Sequence, residues 1–218
     1  MKNAKKIYLT VLTIVTALVV IIGWTRACTR VDDKIEAKFD DEDAVVSESY
    51  DKSFSDLIVD AGVASITIQS GSAYSVTQSY ADDRYALLFK ANGDKLKITQ
   101  RSSHAGDAIG AKNVNVDLVI TVPAGTELDK MDIDLGIGKL TIDGVVADKG
   151  DFDIGVGDVE IRGIGDPHDY DLDVDLGIGN IELGEREKGG LGTEISWEGT
   201  NGHKLDFDIG TGDLTFVE

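Results

Sequence analysis

The chain has 218 residues, room for one medium domain with an appendage rather than two enzyme domains; 42% of it is hydrophobic, enough for a core, and only 6% is aromatic. Its 21 Lys and Arg face 40 Asp and Glu, and five of the bases (Lys2, Lys5, Lys6, Arg26 and Arg30) lie in the acid-free first 30 residues, so the remainder carries 16 bases against 40 acids, or −24. A body this acidic repels nucleic acid and anionic lipid, which excludes a nucleic-acid-binding role, and a single Cys excludes an intramolecular disulfide or a cysteine-built metal cage.

Residues 1–6 read as a short basic cytoplasmic tail. From Ile7 to Trp24 follow eighteen residues without a charge, IYLTVLTIVTALVVIIGW. At about 1.5 Å per residue they span roughly 27 Å, close to the ~30 Å hydrocarbon core of a bilayer. Tyr8 and Trp24 stand near the two ends, where an aromatic belt places them, and the preceding lysines put the N-terminus in the cytoplasm. A cleaved signal peptide fits less well, because the apolar run is long and Arg26 interrupts the small-residue site after it. A lipoprotein would use Cys28, but Thr25 and Arg26 break its expected motif. The expectation is a single-pass anchor at 7–24 in contact with the lipid bilayer, N-terminus inside and body outside. Residues 25–53 carry many charges and no sustained apolar period, and read as a juxtamembrane stalk.

Residues 54–218 are predicted to be all-β. A first copy of a repeat, LIVDAGVASITI, spans 57–68. Strand-like stretches follow at Tyr74 to Tyr80, Tyr85 to Lys90, Leu96 to Gln100 and Val114 to Val122, with an Asn92-Gly93-Asp94 turn between two of them. Four clean copies come next: MDIDLGIGKLTI (131–142), GDFDIGVGDVEI (150–161), LDVDLGIGNIEL (172–183) and LDFDIGTGDLTF (205–216). Apolar residues alternate with Asp132 and Asp134, Asp151 and Asp153, Asp173 and Asp175, and Asp206 and Asp208, the period-2 mark of a strand with one buried face. Past the glycine pairs Gly136 and Gly138, Gly155 and Gly157, Gly177 and Gly179, and Gly210 and Gly212, the alternation resumes one step out of phase. These glycines are therefore assigned as structural turns, bends that return the apolar face to the same core. Copies near 20 residues cannot bury their own apolar face, so they are expected to stack as a β-solenoid or β-helix-like array.

The D-Φ-D-Φ-G-Φ-G-x-Φ-x-Φ copies (Φ apolar), the preceding VNVDLVITVPAGTELDK and the single N-terminal anchor resemble the putative-adhesin β-strand-repeat domains of bacterial cell-envelope proteins, LiaG-like proteins included. The resemblance covers residues 54–218. It implies a β-helical, surface-exposed domain, sometimes tied to envelope stress, and it carries no catalytic residues.

The residues themselves point away from catalysis. Each Gly pair is followed by a strand pattern and flanked by carboxylates, whereas a phosphate loop needs a helix N-terminus there. Paired acids also serve glycoside hydrolysis, but here they recur in every copy, as in a scaffold, and no unique pair stands out. His104, His168 and His203 stand apart in sequence without a metal-ligand spacing. No cofactor is expected. The eight aspartates are candidate ligands for Ca²⁺ or Mg²⁺, with ordinary solvated acids as the competing account. The expected function is non-catalytic adhesion, binding or envelope-stress sensing, its partner an unidentified envelope protein or polymer; the alternative is an enzyme acting on envelope polysaccharide through the repeat aspartates.

Overall fold

The computed structural model describes residues 49–80, 83–101 and 116–217. The expected anchor at 7–24 and His104 lie outside them. Among the described residues no helix is long and apolar enough to cross a membrane.

The domain is all-β. Among the described residues there are twelve strands: β1 (Ser49–Tyr50), β2 (Asp56–Gly71), β3 (Ser75–Tyr80), β4 (Leu87–Asn92), β5 (Lys95–Gln100), β6 (Val116–Pro123), β7 (Glu127–Asp143), β8 (Val146–Arg162), β9 (Asp171–Leu183), β10 (Arg186–Trp197), β11 (Lys204–Thr211) and β12 (Leu214–Val217). Two single 3₁₀ turns, Asp83–Tyr85 and Pro167–Asp169, interrupt them. Strands β2, β7 and β8 each contain a whole copy of the repeat, Gly bend included, and β9 contains another; the last copy is divided into β11 and β12. Gly93, at φ 60°, turns β4 into β5 in the expected hairpin.

The copies pair in parallel and in register. Asp132 lies opposite Asp151, Ile133 opposite Phe152 and Gly138 opposite Gly157 between β7 and β8, and the match continues from Glu127–Val146 to Asp143–Arg162. Asp143 ends β7 and Val146 opens β8, yet Val146 is the partner of Glu127 at the far end of β7. Seventeen extended residues would reach about 56 Å, and the short connection about 10 Å, so the strand has to curve round upon itself to bring its two ends together.

The order of the copies in the sheet is not their order in the chain. The sheet runs β2, β7, β8, β11, β9, β10, with β12 between β8 and β9 as the continuation of β11. After β8 the chain leaves a gap one copy wide, lays down β9, adds β10 antiparallel to it, and only then fills the gap with the final copy. Strand β10 occupies part of the long interval between the third and fourth clean copies. It ends the sheet order and begins with the exposed charges Arg186, Glu187 and Lys188, of the kind that discourage pairing with a further chain.

One continuous core runs through the stack. Ile133 and Leu135, Phe152 and Ile154, Val174 and Leu176, and Phe207 and Ile209 are all buried, as are Leu140, Val159, Ile181 and Leu214 beyond the bends, in agreement with the phase slip read from the sequence. Phe152 and Phe207, brought side by side by the insertion of β11, stack with ring centroids 4.6 Å apart at 12°.

The bends admit almost nothing but glycine. A Cβ on Gly138 would fall on the carbonyl oxygen of Ala64, one on Gly157 on that of Gly138, one on Gly212 on that of Gly157, and one on Gly179 on that of Gly212. Each copy thus seats its second glycine against the backbone of the copy before it in space. Ala64 is accommodated because the ladder on the other side of β2 lapses there: pairing with β5 stops at Asp60 and pairing with β6 starts at Ser65. The buried side-chain amide of Gln100 stands in for the missing backbone. It accepts from Val63 N–H at 2.9 Å and donates to the carbonyls of Val63 (3.1 Å) and Tyr85 (3.0 Å), so both backbone groups of Val63 are paired where the ladder lapses.

Candidate functional site

The eight repeat aspartates come together in two ladder columns on the outer face. One is Asp132, Asp151, Asp206, Asp173 and the other Asp134, Asp153, Asp208, Asp175, with Asp60 of the first copy next to Asp134. The permuted strand order makes Asp206 and Asp208 interior members rather than ends.

The two columns differ in their surroundings, and the neighbouring register explains why. Two residues upstream of the first column runs a basic one, Lys130, Lys149 and Lys204. Lys130 Nζ lies 2.6 Å from Asp132 Oδ2, and Lys204 Nζ 3.3 Å from Asp206 Oδ2. The second column is bordered instead by the Gly bends, which supply no cation. Partial burial, followed by repulsion from Asp60, Asp153 and Asp132, pushes the Asp134 carboxyl up to about 7. Asp60, Asp153 and Asp208 are raised for the same reasons, burial first; at Asp60 the charge of Lys97 opposes the rise.

Carboxyls raised in the folded state bind more protons there than in the unfolded chain, so stability falls as pH rises through the window between about 4 and about 7. After allowance for the solvent screening of half-exposed groups, the domain should be more stable at pH 5 than at pH 8 by about 1–2 kcal/mol, or roughly 3–6 °C in Tm for a domain of this size. Asp134→Asn should remove most of the difference. Calorimetric scans at the two pH values test this, and a Tm that is flat or higher at pH 8 would contradict it.

Along the bend itself, the residues between the paired glycines line up as Val63, Ile137, Val156, Thr211 and Ile178, with Leu191 of β10 opposite Ile178. Val156 is 43% exposed, Ile178 51% and Leu191 80%. They form an apolar ridge, interrupted by Thr211 between Val156 and Ile178, parallel to the Asp134 column.

A third constellation was invisible to sequence spacing. His203 stands immediately before β11, and its ring nitrogen Nδ1 approaches Asp148 Oδ1 at 3.3 Å and Glu127 Oε1 at 3.5 Å. The expectation that His203 stands apart is therefore corrected: three strands separated by up to 76 positions bring a histidine and two acids to one corner. The only local signal was a lone histidine before a repeat copy. His168, by contrast, is occupied locally. Its backbone N–H donates to Asp166 Oδ1 at 2.8 Å and its ring stacks on Trp197 at 4.9 Å.

No family model matches the chain, and no curated protein does. Among solved structures, one from Clostridium sporogenes ATCC 15579, named a "putative cell adhesion protein", is similar with a TM-score of 0.49 and 13% identity, over 78% of this chain and 97% of that one.

Proposed function

We propose that this chain is a single-pass membrane protein, N-terminus in the cytoplasm, whose β domain works outside the cell without catalysis, by binding in adhesion or envelope-stress sensing. The carrying observation is the exposed apolar pair Ile178 and Leu191, with Val156 one rung further on beyond Thr211, alongside an acidic column, since exposed apolar groups rimmed by charge mark interaction surfaces. A partner fitted to it presents apolar groups beside cationic ones, whether on an envelope protein or a polymer. The β-solenoid reading belongs to the same proposal, supported by the in-register match of β7 with β8 and the short connection between them. So does the resemblance to LiaG-like envelope proteins. In this reading the apolar run 7–24 holds the domain at the bilayer.

One experiment addresses anchor and surface together. A labelled cationic amphipathic peptide should bind intact protoplasts that carry the full chain, external protease should abolish that binding, and the variant V156S/I178S/L191S should lose most of it. Binding that survives external protease overturns the topology, and equal binding by the variant overturns the ridge. The enzyme reading keeps one specific support, a carboxyl at Asp134 held near neutrality as a general acid requires. Release of products from an envelope polysaccharide, stopped by Asp134→Asn, would replace the binding proposal with it.

A further inference from the structure

We propose that Glu127, Asp148 and His203 form a binding site for one Zn²⁺ ion, which braces the inserted final copy against the two copies before it. The register brings two of them level and the side chains bring in the third. Lys149 pairs with Lys204, which sets Asp148 and His203 one residue upstream of each, while Glu127, opposite Val146, reaches His203 diagonally from β7. Any ion held there touches β7, β8 and the entry to β11 at once.

The histidine is the informative member. Its Nδ1 is shut off from solvent and makes no hydrogen bond, although two carboxylate oxygens converge on it. A buried ring nitrogen left in that state is costly unless a further group completes it. The ring is held in place from both sides of the chain. The His203 backbone N–H donates to Asn201 Oδ1 at 2.9 Å, its carbonyl accepts from Asp171 N–H at 2.8 Å, and the Tyr170 ring lies 5.9 Å away.

The nitrogen-to-oxygen spacings are those of a tetrahedral ion, and the ligand types select among such ions. With Zn–N and Zn–O bonds of about 2.0–2.2 Å, the edge of a tetrahedron is roughly 3.3–3.5 Å. The nitrogen-to-oxygen separations are 3.3 and 3.5 Å, and one ligand atom from each residue lies within 4.8 Å of the others. Two carboxylates and a neutral imidazole balance the charge of a divalent ion. An imidazole in the set favours zinc over calcium and magnesium, which take oxygen ligands. Both acids are exposed, which leaves the fourth tetrahedral position open to water.

The plain alternative is a protonated His203 paired with two acids and no metal. Isothermal titration of the purified full chain with ZnCl₂ separates the two. The expected result is one saturable site per chain with a Kd at or below about 10 μM. Affinity should fall at least about tenfold in His203→Gln and in Asp148→Asn, and stay unchanged in Asp175→Asn, an aspartate of the column away from this corner. Millimolar Ca²⁺ or Mg²⁺ should not compete. Co²⁺ in place of Zn²⁺ should give intense visible absorption of the tetrahedral kind, lost in both ligand variants. Should His203→Gln fail to fold, the exposed Asp148→Asn still decides the matter. The proposal is overturned by the absence of saturable binding, by equal binding in wild type and Asp148→Asn, which would move the ion to the aspartate columns, or by competition from Ca²⁺, which would indicate an all-oxygen site.

Discussion

Deleting residues 204–218 should abolish cooperative folding of the whole β domain, not merely shorten it. Those residues form β11 and β12 and bury Leu205, Phe207, Ile209, Leu214 and Phe216. At about 1.5–3 kcal/mol for each fully buried apolar side chain, their loss removes roughly 7–15 kcal/mol, comparable with the entire 5–15 kcal/mol stability of an ordinary domain. Position makes the loss worse. A copy at the end of a stack has one interface, whereas this copy has two, with β8 and with β9. Removing it uncovers Phe152, which stacks on Phe207, and leaves β9 and β10 with no sheet to join. Circular dichroism and urea unfolding of the truncated chain provide the measurement. A cooperative transition with a Tm within a few degrees of the intact protein would mean that the last copy is an end copy and that the strand order described above is wrong.

Gly157→Ala should destabilise the domain by about 3–5 kcal/mol, at the upper end for a single added methyl. Two effects act in the same direction. Gly157 has φ 155°, a backbone conformation that side chains with a Cβ rarely adopt. The new Cβ would also fall on the carbonyl oxygen of Gly138, a backbone atom held in the sheet that cannot swing aside as a side chain could. Gly93→Ala is the control, because Gly93 also has a positive φ, 60°, but a Cβ there meets nothing within 4 Å. Its cost should be only the backbone strain of about 1–2 kcal/mol. Chemical unfolding of both variants tests the comparison. A loss below about 1 kcal/mol at Gly157 would show that the copies do not pack backbone to backbone at the bend.

Local chemistry was legible in the chain because it depends on neighbours a few residues apart. Alternation of Asp132, Ile133, Asp134 and Leu135, and of the matching residues in the other copies, determined which side chains enter the core. The slip of phase across each Gly pair determined where the strands bend. The Asn92-Gly93-Asp94 turn determined one hairpin. None of these signals can rank neighbours. All four clean copies present the same alternating face, so the pattern is equally satisfied whether the copy at 205–216 ends the stack or enters it, and the aspartate columns follow either way. Only the tertiary structure decided the insertion of β11 and β12 between β8 and β9, through the room left by residues 163–170 and the reversal in β10. The same is true of Gln100, whose role depends on a ladder that lapses beside Val63 in a different strand. It is true above all of Glu127, Asp148 and His203: residues this far apart in sequence share no periodic signal, and they meet because parallel register places the starts of three strands side by side.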